Sequence, residues 1–166
     1  MPSYQAATAA PAYDPTAATG FHGYGGFWIR VLAAIIDGAV TSAIVFPMIF
    51  ILALAMGLSS AGSRQPNPAV ALGFLAIWFP IALGIPWIYS AAMESSRHQA
   101  TLGKMAVGLK VTDIYGARIS FGRATGRHFG KVVSAIALYI GFIMVGFTER
   151  KQGLHDMIAG TVVLKK

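Results

Sequence analysis

The sequence predicts an all-α membrane protein: two transmembrane helices, a third membrane-embedded helical segment and a small cytoplasmic β element. Three observations carry that prediction. With 55% hydrophobic and 11% charged residues, and a mean hydropathy of +0.62, a chain of 166 residues has too little polar surface to coat a water-soluble particle. Two apolar runs, about 31–58 and 70–93, are each long enough to cross a hydrocarbon core of about 30 Å. Seven of the thirteen Lys and Arg residues fall between 94 and 131, the pattern of a loop held on the cytoplasmic side.

Residues 1–26 are rich in Ala, Pro, Gly, Tyr and Thr, with one acid (Asp14) and no Lys or Arg. They lack the basic start and apolar centre of a secretory signal, and are expected to form a disordered tail ahead of one domain, 27–166. Phe27 and Trp28 stand where an interfacial aromatic belt anchors a first helix. A continuous helix from Phe27 to Leu58 would be about 48 Å long, so it tilts or lays its first ten residues at the interface, and Pro47 is a candidate kink. Asp37 is the only charge between Val31 and Ser63. A carboxylate near a helix centre costs about 2.5–3.5 kcal/mol. The ten Val, Ile, Leu and Phe residues from Gly38 to Leu58 return roughly 0.3–0.6 kcal/mol each. Insertion survives Asp37, but the residue needs a reason. A short polar loop with one basic residue, Arg64, leads into the second run, which contains Pro80, Pro86, Trp78, Trp87 and Tyr89 and reaches Glu94 without a charge.

Beyond Glu94, Leu102, Met105, Ala106 and Leu109 recur at helical spacing and predict a short interfacial helix. Leu109–Asp113 alternates as a strand, Ile114-Tyr115-Gly116 supplies a turn, and Ala117–Phe121 is the expected return partner; Thr161–Leu164 also favours strand, giving a three-piece sheet. The third apolar stretch, Val132–Phe147, would rise only about 24 Å as helix, and extends upstream to a membrane-embedded segment of about 129–147. Arg123, Arg127 and Lys131 lie at i, i+4 and i+8 and are expected to snorkel to anionic lipid headgroups. Gly122, Gly126, Gly130 and Ser134 form a neighbouring small-residue stripe suited to close helix contact. Pairing of Val162 with the Val111 strand demands that the C-terminal tail share the side of the basic loop, so the third stretch is expected to re-enter rather than cross.

The chemistry of catalysis is not visible. The chain has no cysteine, which excludes disulfides and thiolate chemistry. His22, His98, His128 and His155 are scattered without metal-ligand spacing. His155 and Asp156 are neighbours that point apart on a helix, against a dyad. Gly103-Lys104 lacks the remaining glycine and the hydroxyl residue of a P-loop, and Ser59-Ser60 lacks a nucleophile-elbow setting. The expectation is a protein that is not an enzyme and has no cofactor or metal. The net charge of +7 reads as topology and attraction to anionic lipid; no nucleic-acid-binding signature accompanies it.

Three stretches carry a resemblance: Gly26–Gly38 around Arg30 and Asp37, Ala100–Lys104 with Gly108–Asp113, and Gly153–Val163 around Asp156. In order and spacing they resemble the RDD family of bacterial membrane proteins, whose name refers to one arginine and two aspartates. The resemblance maps the arginine onto Arg30, the first aspartate onto Asp37 and the second onto Asp156, with Asp113 as the alternative. It implies a multi-pass protein of the bacterial inner (plasma) membrane; charge asymmetry puts its N-terminus in the cytoplasm. Cation/proton exchange is the activity suggested for some members, and two or three spans would need a homo-oligomer or a membrane protein partner to enclose a path. Arg30 and Asp37 share a helix face about 10.5 Å apart along the axis, and Asp156 between them would complete a triad. Two readings follow: a net negative site that holds a proton or small cation, or an ion pair that locks the first helix to the C-terminal segment in a membrane-anchored interaction module. Glu94 is either a further acidic contributor or a solvated helix end.

Overall fold

The computed structural model describes residues 20–61, 68–136 and 140–166. Strand β1 (Gly23–Tyr24) precedes the long helices α1 (Phe27–Ser60) and α2 (Pro68–Ser95), followed by α3 (Leu102–Ala106), β2 (Leu109–Asp113), α4 (Phe121–Ile136), α5 (Ile140–Ile143), a 3₁₀ turn (Met144–Gly146), α6 (Leu154–Ile158) and β3 (Thr161–Lys165). Helices α1 and α2 are long and apolar enough to span a membrane. Their large side chains, Phe46, Ile51, Phe79 and Leu83 among them, point outward, as lipid contact requires. Pro47 lies inside α1, and Pro80 and Pro86 inside α2. The loop with Arg64 and the tail before Gly20 lie outside the described residues.

The three strands form one antiparallel sheet in the order β1-β3-β2, with Tyr24 opposite Leu164, Val111 opposite Val163 and Asp113 opposite Thr161. The expected pairing of the Val162 and Val111 strands is present, whereas the expected return partner Ala117–Phe121 is not. Ala117–Ser120 forms no strand, because Asp113 closes the turn on itself: its Oδ1 accepts from the Tyr115 and Ala117 amides (2.9 and 2.8 Å). Ser120 then opens α4, its Oγ accepting from the Arg123 amide at 3.2 Å. The vacated edge belongs to β3, whose Val162, Val163 and Leu164 are fully buried. Gly23 and Tyr24, placed by the sequence in the tail, pair on the other edge of β3. Helix α3 ends at Ala106 rather than Leu109, since Gly108 adopts a left-handed φ of +71° that turns the chain into β2.

The core sits where the membrane helices meet this sheet: Ala33 of α1, Ala91 of α2, Leu109, Val111, Ile119, Ala124 and Val163, with Trp87 and Ile29 against them. Trp87 Nε1 donates to Thr125 Oγ1 (3.2 Å) and Ser90 Oγ meets His128 Nδ1 (2.8 Å), fastening α2 to α4. Of the small-residue stripe, Gly130 and Ser134 pack against α6, where a Cβ on Gly130 would stand 3.1 Å from the His155 Cα; Gly122 and Gly126 face open space. The helical pieces 121–136 and 140–146 stand at 117° to each other. Two helices that both cross a bilayer return the chain to its starting side. One sheet holds residues before α1, between α2 and α4, and after α5, so the bent pair begins and ends on that side too.

Candidate functional site

Buried charge gathers where the N-terminal end of α1 meets the C-terminal end of α2. Arg30 sits in the first turn of α1, where its Nε donates to the Gly25 carbonyl (2.8 Å) and its Nη2 to the Lys151 carbonyl (2.6 Å), leaving Nη1 paired with Asp156 Oδ2. Lys151 holds a left-handed φ of +50°, an uncommon conformation for a non-glycine residue that aims its carbonyl at the guanidinium. Asp156, fully buried in α6, accepts from the Gly153 amide three residues earlier (3.2 Å) and from Arg127 Nε (2.7 Å). The same Arg127 gives Nη1 to Glu94 Oε2 (2.7 Å), and Glu94 Oε1 accepts from Lys104 Nζ (2.8 Å). Arg127 is 2% exposed and Glu94 1%. A planar guanidinium with a fixed fork of donors suits this bridging of two carboxylates; a lysine would not span them.

Asp37 holds a second focus. Its Oδ1 accepts from the Gly103 amide (2.7 Å) and from Tyr89 Oη (2.9 Å), its Oδ2 from Thr101 Oγ1 (2.5 Å). Tyr89 Oη in turn accepts from the Leu102 amide (2.9 Å). Thr101 joins the two foci, because its Oγ1 also accepts from Lys104 Nζ (3.2 Å). The result is a continuous path Arg30–Asp156–Arg127–Glu94–Lys104–Thr101–Asp37–Tyr89 that ties α1, α2, α3, α4 and α6 together. Three cations (Arg30, Lys104, Arg127) face three carboxylates (Asp37, Glu94, Asp156) along it. Half-buried Lys131 adds attraction to Glu94 and repulsion from Lys104 and Arg127. Among the described residues every buried side-chain nitrogen and oxygen has a hydrogen-bond partner.

Outside the spans, burial pushes the Asp156 carboxyl up, but the guanidiniums of Arg127 and Arg30 outweigh it and hold the group well below the usual carboxylate range. Burial pushes neighbouring His155 down to about 3, against the attraction of Asp156. His155 stands on α6 with Nε2 3.5 Å from Asp156 Oδ1, Nδ1 3.4 Å from Ser134 Oγ and its ring tilted at 42° to that of Phe142, centroids 5.1 Å apart.

The expected triad thus divides. Arg30 and Asp156 meet; Asp37 does not join them and is held instead by Thr101 and Gly103 at the start of α3 and by Tyr89 of α2. The path is balanced in charge rather than net negative. Glu94 is no solvated helix end, since α3 and α4 both close over it. Arg127 does not reach headgroups: it lies three residues before Gly130 and seven before Ser134, on the face packed inward. Arg123 remains at the surface, 3.8 Å from Asp113, and Asp113 serves the turn after β2. His155 and Asp156, adjacent in sequence, do approach each other, because a five-residue helix leaves both side chains on its buried side. Sequence reasoning missed Tyr89, Thr101 and Lys104; the run Thr101-Leu102-Gly103-Lys104 marks two of them. Among the described residues no three His, Asp or Glu converge as metal ligands.

The sequence model of the RDD family matches residues 24–160. A Bacillus subtilis (strain 168) protein described as "Uncharacterized protein YxaI" is 40% identical over 151 residues, covering 85% of this chain and 97% of its own. "Uncharacterized membrane protein YteJ" of the same organism is 29% identical over 153 residues, covering 86% and 82%. No solved structure matches the chain.

Proposed function

From the premise that this chain belongs to the RDD family, we propose that it works as a membrane-anchored assembly module, without enzymatic chemistry or cofactor. One observation carries the reading: three cations and three carboxylates are hydrogen-bonded along one path, with Lys131 beside it, so these charges are used in joining five helices rather than left open to an ion. Breaking such a buried pair costs about 3–5 kcal/mol, enough to make the cluster a condition of folding. The outward apolar faces of α1 and α2 are then free for lipid, a second copy or a partner membrane protein. The protein would lie in a bacterial plasma membrane with β1, the basic segment 94–131 and β3 on the cytoplasmic side, a placement supported by the seven Lys and Arg residues on that side. Arg123, at the surface, and anionic headgroups are natural neighbours there.

A second reading, cation/proton exchange by an oligomer, is favoured by Asp37. The three donors to its carboxylate, two hydroxyls and one backbone amide, are neutral. One turn further into the membrane a cavity of about 260 Å³ opens between α1 and α2, lined in part by Thr41, Ser42, Trp78 and Pro86. Reconstitution into liposomes with a pH-sensitive dye separates the two. The module predicts no cation-driven proton flux from folded protein and co-purification as a homo-oligomer or with a stoichiometric membrane partner. Flux abolished by Asp37→Asn would replace it with exchange.

A further inference from the structure

A second concentration of cations lies at the surface where α2 gives way to α3 and the sheet. Gln99, at a left-handed φ of +54°, reverses the chain after α2, and its carbonyl accepts from the Val111 amide (2.7 Å). That contact lays Arg97 and His98 beside β2. From the other side the Lys166 amide donates to the Gly108 carbonyl (2.9 Å), bringing the end of β3 alongside. Between them opens a cavity of about 310 Å³ lined by Arg97, His98, Met105, Gly108, Lys110 and Lys166, among others, with no Asp or Glu side chain in its wall. Among the described residues Arg97, Lys110 and Lys166 form no salt bridge, in contrast to Arg30, Lys104, Arg123 and Arg127. Lys110 instead stands 5.7 Å from the centre of the Phe21 ring.

Three cations that line one concavity and form no salt bridge among the described residues make an anion site. Its size is at the lower end of small-molecule pockets, and an arginine with two lysines is the donor set that recognises phosphate. Its position narrows the choice. Arg97 lies two residues past the end of α2, and an exposed apolar side chain, Met105 of α3, lines the cavity, with Leu102 of the same helix also exposed. The site therefore joins cations to a greasy step at the height of the membrane surface. We propose that this cavity binds a phosphate group, either that of an anionic phospholipid headgroup or free phosphate. The inference rests on α1 and α2 crossing a bilayer and not on the role of the buried cluster. Loss of either leaves the other intact.

The test uses the full chain in a neutral detergent, with phosphatidylglycerol, phosphatidylcholine and inorganic phosphate as separate probes, read by thermal midpoint and native mass spectrometry. Arg97→Gln with Lys110→Gln is expected to weaken phosphatidylglycerol binding at least tenfold, and Lys166→Gln alone at least twofold. Arg118→Gln with Arg150→Gln removes equal charge elsewhere and is expected to leave binding within twofold. The residues changed at the cavity make no ion pair, so circular dichroism of these variants should match the parent. Protection by phosphatidylglycerol alone assigns the headgroup; protection by inorganic phosphate that the first double variant abolishes assigns free phosphate. Equal losses in the two double variants, no loss in the first, or equal binding of phosphatidylcholine would overturn the site.

Discussion

Gly103 brings α3 directly onto α1 beside Asp37: the Gly103 amide donates to Asp37 Oδ1 at 2.7 Å, and a Cβ at 103 would fall 2.2 Å from the Ala33 carbonyl oxygen. No side chain fits there. Gly103→Ala is expected to push α3 off α1 and lengthen the Gly103 and Thr101 bonds to Asp37. Overpacking and a weakened bond to a carboxylate together cost about 2–4 kcal/mol. Gly122→Ala, whose Cβ would meet nothing within 4 Å, is the control and should be neutral or slightly stabilising. Denaturation in detergent measures both; equal stability of the two variants would disprove the close-contact account.

Arg127 is the other point of no tolerance. Arg127→Met strips one donor from each of Glu94 and Asp156 while both stay buried, and about 3–5 kcal/mol of stability should go with it. Arg127→Lys restores charge but a single ammonium cannot bridge both acids, so an intermediate loss is expected. Yield of monodisperse protein and thermal midpoint report the order parent, Lys, Met. A Met variant as stable as the parent would show the bridge to be dispensable.

Acid should destabilise the protein in two stages. The folded state keeps His155 neutral down to about pH 3, whereas unfolded histidine takes a proton near 6.5; the unfolded state binds more protons, and stability falls as pH drops below about 6.5. Asp156, depressed in the folded state, adds its loss only below the ordinary aspartate range near 3.9. The first stage amounts to a few kcal/mol at most. A midpoint that declines between pH 6.5 and 4.5, and a flatter profile in His155→Gln, are the expected results. A parent profile that is level over that interval rules out the buried neutral histidine.

The sheet requires its three strands to share one side of the bilayer. The absence of native cysteine makes single-cysteine labelling clean: His22→Cys, Arg118→Cys and Lys166→Cys should all react with an impermeant maleimide from the same face of oriented vesicles. Labelling of Lys166→Cys from the opposite face would mean that the third stretch crosses.

Both long helices were readable from length and apolar content alone, because a bilayer sets a minimum span that composition reports directly. Strand β2 was readable from alternation and β3 from its β-branched residues, and the pairing of the two was expected. The further strand Ala117–Phe121 was misjudged, since it alternates as β2 does and only the Asp113 side chain, by closing the turn, keeps it out of the sheet. Strand β1 gives no periodic signal in two residues, one of them glycine. The meeting of Arg30 with Asp156 came from the resemblance, as nothing local links residues 126 positions apart. Glu94 was misjudged because a charge at a helix end looks solvated until elements 10 and 33 residues later cover it, and Arg127 because the acids it bridges lie 33 residues before it and 29 after.

Synthesis from the N-terminal end imposes an order on the clasp. Asp37 and Glu94 enter lipid before Thr101, Gly103, Lys104 or Arg127 has been made, and Arg30 waits longest, for Asp156. The charge path cannot shut until α6 brings Asp156, nor the sheet until β3 emerges to lie between two strands already waiting. Each newly made copy therefore passes through an inserted but unlatched stage, and proteolytic surveillance or a partner that engages during translation meets the protein in that open form.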